Sequence, residues 1–88
     1  MNEIFEYRNI TTATTTVVKS GAGVLKAITV NSTAAGTITV YDNTSAAGKK
    51  IATLKTSVIE GTYEFNVAFG TGLTIVTGAA SDITVSYR

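Results

Sequence analysis

Hydrolytic chemistry without histidine or cysteine needs two carboxylates held in unequal environments, so the acids of this chain are the natural starting point. Glu60 and Glu64 lie close in sequence, while Asp42 and Asp82 each stand beside the end of an alternating run. The more economical reading gives Asp42 with Asn43 to a turn, Asp82 to the end of a strand, and the two glutamates to solvent. Asp42-Asn43-Thr44-Ser45 carries enough oxygens to suggest calcium, but it lacks the repeated acids and terminal Glu of a calcium loop. Local Asx and Ser/Thr bonding accounts for it without an ion.

Glycine and hydroxyl chemistry fares no better. Gly21-Ala22-Gly23 and Gly70-Thr71-Gly72 resemble pieces of phosphate loops, yet each runs into a strand-like segment where a nucleotide loop needs a helix. Serine and threonine are plentiful, but with no His and no Cys in the 88 residues there is no triad, no thiol chemistry and no usual zinc ligand. The expectation is a protein that is not an enzyme and holds no metal or cofactor. Seven Lys and Arg balance six Asp and Glu, and the cations are dispersed, so nucleic acid is not an expected partner. The first eight residues carry two acids and no apolar run, which predicts neither a secretory signal nor a membrane span. Three glycosylation-type triplets, beginning at Asn9, Asn31 and Asn43, read as turn and strand residues.

The elements that would position these side chains are strands. Seventeen Thr, many Val and Ile, and no Pro favour a pleated chain, because β-branched side chains are less crowded there than against a helical turn. Period-two alternation is clearest where Tyr63, Phe65, Val67 and Phe69 share one face, and again where Ile83, Val85 and Tyr87 do. Further strands are expected at about 13–19, 24–31, 36–42, 49–57 and 73–77, with another at 3–8, and the segments 24–31 and 36–42 are expected to form a hairpin. Turns bearing Gly at roughly ten-residue spacing predict a single-domain, all-β antiparallel sandwich of seven to eight strands, Ig-like or jelly-roll-like. Residues 11–88 form that domain and 1–10 an N-terminal arm or edge strand.

Among the aromatics, Tyr63 and Tyr87 belong on the greasy faces with their hydroxyls at the rim. Tyr41 lies opposite Ile38 and Val40 in the pleat and is expected to anchor an interface; Tyr7 and Arg8 are the contact candidates of the N-terminal segment. A chain this short buries about 60–65% of its unfolded surface, and without disulfides or metal the remaining common support is oligomerisation.

The segments Gly23-Val24-Leu25-Lys26-Ala27-Ile28-Thr29-Val30-Asn31, Thr39-Val40-Tyr41-Asp42-Asn43-Thr44 and Asp82-Ile83-Thr84-Val85-Ser86-Tyr87-Arg88 resemble the small β-sandwich structural proteins of tailed bacteriophages over about residues 11–88. The resemblance implies a virion component made in the host cytoplasm. It implies a capsid decoration (cement) protein bound to the major capsid protein or other virion proteins, or alternatively a tail or fibre module for host or glycan recognition. A homo-oligomer, a trimer about a local three-fold axis, goes with the decoration role.

Overall fold

The computed structural model describes residues 4–88. Eight strands follow one another: β1 (Glu6–Ile10), β2 (Thr15–Ser20), β3 (Gly23–Ser32), β4 (Ile38–Asp42), β5 (Lys49–Leu54), β6 (Gly61–Phe69), β7 (Gly72–Thr77) and β8 (Asp82–Tyr87). They form two four-stranded antiparallel sheets, β1-β8-β3-β6 and β2-β7-β4-β5. The all-β sandwich expected from the alternation is the fold observed.

The pairing has a simple rule. β1 pairs with β8, β2 with β7, β3 with β6 and β4 with β5, as in one long hairpin whose tip is the loop between Asp42 and Lys49. Rolling that hairpin adds the contacts β3 with β8 and β4 with β7 and closes it into two layers. This is the strand order of a jelly roll, one of the two architectures the turn spacing allowed.

Burial follows position in the sheets. Leu25, Ile28 and Val30 from β3, Ile38 and Val40 from β4, Leu73 and Ile75 from β7, and Ile83 and Val85 from β8 are all at most 1% exposed. These four strands are central in their sheets, so each is covered by strand on both sides as well as by the opposite layer. Tyr63, Phe65 and Val67 of the edge strand β6 are only partly buried against the same core. Each fully buried aliphatic side chain contributes about 1.5–3 kcal/mol relative to exposure, and Val, Ile and Leu at alternating positions of the central strands supply most of it.

The expected hairpin between 24–31 and 36–42 does not form, since β3 and β4 lie in different sheets. Both sides of each strand are already paired, β3 with β6 and β8 and β4 with β5 and β7. The connecting residues turn the chain over the end of the sandwich: Ala34 O accepts from Gly36 N and Ser57 N, and the Glu60 carboxylate accepts from Thr33 N. Strand β5 stops at Leu54 rather than near 57, because Ser57 takes a positive φ of 52° in the connection to β6. The N-terminal strand runs from Glu6 to Ile10, and Glu3 of the expected segment lies outside the described residues.

Candidate interface at the β1/β2 edge

The four acids are bound to separate partners on different elements. Glu64 pairs with Lys26 at 3.2 Å across the outer face of the first sheet. Asp82 accepts from the side-chain amides of Asn9 at 2.8 Å and Asn31 at 3.3 Å. Glu60 holds Thr33 N at 3.1 Å. Asp42 accepts from the backbone N–H groups of Gly70, Thr71 and Gly72 at 2.9 to 3.4 Å. The loop that resembled a phosphate cradle therefore does hold an anion, and the anion is the protein's own Asp42. Thr71 N–H, then Gly70 N–H, holds that carboxyl below its usual range against an opposing desolvation, with Gly72 N–H and the Lys49 charge adding smaller contributions to the lowering.

The loop after Asp42 closes on itself. The Asn43 side chain donates to Ala47 O and accepts from Thr44 N, so its oxygens serve a turn. Gly21 N donates to Thr71 O, which joins the β2–β3 turn to the β6–β7 turn. No group of three or more His, Cys, Asp or Glu with metal-holding geometry occurs among the described residues.

The tyrosines are scattered. Tyr63 is partly buried and its hydroxyl donates to Ile59 O; Tyr87 packs on the core with its hydroxyl 3.5 Å from Glu6 Oε1. Tyr41 is half-buried on the outer face of the second sheet, opposite Thr74 and Lys50. Tyr7 is 74% exposed on β1, on the outer face of the other sheet, with Arg8 exposed beside it. Tyr7 and Arg8 thus share the edge strand β1 but point to its opposite faces, and Tyr41 lies on a different surface.

Tyr7 and Arg8 sit on an open edge. β1 ends the first sheet and β2 ends the second, so both present unpaired backbone on the same side of the sandwich. Between them runs a groove of about 420 Å³ lined by 8–12 and 14–17, five of them threonines. Thr77 braces the connection beside it: its hydroxyl donates to Thr12 O and accepts from Thr14 N at 3.0 Å, tying the β1–β2 connection to β7. The large apolar residues most exposed in the described chain are Ile4, Tyr7, Val17 and Ile59, and the first three belong to this edge.

The opposite edge is built differently. β5 begins with Lys49-Lys50 and is followed by Lys55, and β6 carries a register shift opposite Lys26 with Asn66 at a positive φ of 54°. Lysines and bulges of this kind discourage strand addition; β2 shares them, with Lys19 and a register shift between Val17 and Lys19, whereas β1 has no lysine and pairs with β8 without a shift. Ile4 and Val17 were not singled out by the alternation. Val17-Val18 puts two apolar residues in succession, and only the fold shows that Val18 faces the core and Val17 faces out.

No family model matches the chain, and no curated protein and no solved structure matches it either.

Proposed function

We propose that this protein is a structural component of a bacteriophage virion, a decoration protein that seats on the capsid shell in many copies and stabilises it. The observation that carries this reading is the open β1/β2 edge, where the unpaired outer edges of two strands and the exposed Ile4, Tyr7 and Val17 gather on one side of the molecule. An edge of that kind is a liability in a free monomer and an asset in a subunit that is covered on assembly. The acids and glycine loops considered for a reaction are engaged within the fold, at the Asp42 clamp above all. The likeness of the TVYDNT and DITVSYR segments to small tailed-phage sandwich proteins supplies the virion context.

The mechanism is mechanical. Each copy bridges neighbouring shell subunits, and modest contacts repeated by symmetry combine into avid attachment. The test is to add purified protein to capsids that lack it, follow binding by co-sedimentation, and heat decorated and bare shells side by side. Binding in many copies per head with a raised disruption temperature is expected. Absence of binding together with equal heat resistance would sink the proposal, and recovery of a few copies from tails alone would move the protein to the tail or fibre apparatus.

A further inference from the structure

We propose that two copies of this chain join by antiparallel pairing of β1 with β1, about a two-fold axis through Tyr7, making one continuous eight-stranded sheet. This inference concerns the free protein and does not depend on the capsid reading.

The register follows from residue types on β1. Its partner strand β8 places Glu6 opposite Tyr87, Arg8 opposite Val85 and Ile10 opposite Ile83, so Glu6, Arg8 and Ile10 share the inward face while Tyr7 and Asn9 point outward. A second β1 must keep those faces, which restricts the sum of opposed residue numbers to even values. A two-fold centred on Glu6 opposes two glutamates, and one centred on Arg8 opposes two arginines. Centring on Tyr7 sets Glu6 opposite Arg8 twice over, and Tyr7 opposite its own copy. Opposite charges directly across a sheet stabilise it and like charges destabilise it.

The side chains are open to this use, Glu6 having among the described residues only the 3.5 Å contact from the Tyr87 hydroxyl. Glu6, Tyr7 and Arg8 are all exposed, and among the described residues the only ion pair is Lys26 with Glu64, so Arg8 has no carboxylate partner among them. The same register acts on Ile4, 80% exposed. Extending the alternation sets it opposite Ile10 of the second copy, at the groove that Ile10 lines with five threonines. Main-chain hydrogen bonds supply affinity in such strand addition and the side-chain pairs supply register. The contact is two-fold, unlike the three-fold grouping that goes with the sequence resemblance.

The experiment is sedimentation equilibrium of the full chain across a concentration series, with circular dichroism to verify folding of each variant. A monomer–dimer equilibrium is expected. Arg8→Glu should weaken it by about tenfold or more, because both symmetry-related pairs turn repulsive, and Glu6→Arg combined with Arg8→Glu should restore it. Under oxidation Tyr7→Cys should cross-link into dimers and Asn9→Cys should not, since only residue 7 meets itself. A monomer at every concentration, a trimer, dimers indifferent to Arg8→Glu, or preferential cross-linking at residue 9 would each overturn the inference.

Discussion

At the level of single residues, Asp42 shows how a chemical-looking motif becomes architecture. Three successive N–H groups of the β6–β7 turn converge on its carboxylate, and the ionised form accepts them better than the neutral acid. Its folded pKa is therefore lowered from 3.8, and the linkage has a definite sign. The clamp contributes stability fully above the unfolded pKa and loses it as pH falls through the lower folded value. Asp42→Asn should accordingly lower the urea midpoint at neutral pH with an unchanged slope. The gap from the parent protein should narrow steadily once the pH drops below about 3.8, the unfolded carboxylate value. A gap that stays constant down into strong acid would show that the charge plays no part in the clamp.

At the level of elements, strands were legible in the sequence and their partners were not. Ile83, Val85 and Tyr87 alternate with Thr84 and Ser86, and all of them lie in β8, because a half-buried strand writes its two faces into successive residues. No such local signal says that β3 and β4 belong to different layers. That depends on long-range pairing with β6, β8, β5 and β7, and on connections whose geometry is set by the close approach of other loops. The Asp42 clamp was hidden for the same reason: its donors lie 28 to 30 residues away in the chain. Gly36 marks one such approach, because a Cβ there would stand 2.6 Å from the backbone at Gly78 and Ala79, where the β3–β4 and β7–β8 connections touch. Gly36→Ala should therefore destabilise the fold by about 1–3 kcal/mol, the usual result of overpacking against backbone. Gly70→Ala, with open space at its Cβ, should cost much less. Chemical denaturation of the two variants makes the comparison, and equal midpoints would show that the two connections can move apart freely.

At the level of the whole molecule, the nested pairing fixes how the chain must fold. Only the β4–β5 pair is local, with the loop from Asn43 to Gly48 between its strands, whereas β1 must find β8 across nearly the entire length. Loop closure has to precede the contacts that reward it, which places an all-β domain of this kind on the millisecond-to-second scale. The chain has no proline, so the tens-of-seconds phase caused by X-Pro isomerisation in unfolded chains has no source here. Stopped-flow refolding at low concentration should give a single exponential in that faster range. Raising the protein concentration should add a second phase whose rate grows with concentration, as copies meet at the one edge that β1 and β2 leave open. A slow phase independent of concentration would mean that the sheets first assemble in a wrong order and must rearrange, and the long-hairpin route to the jelly roll would then be wrong.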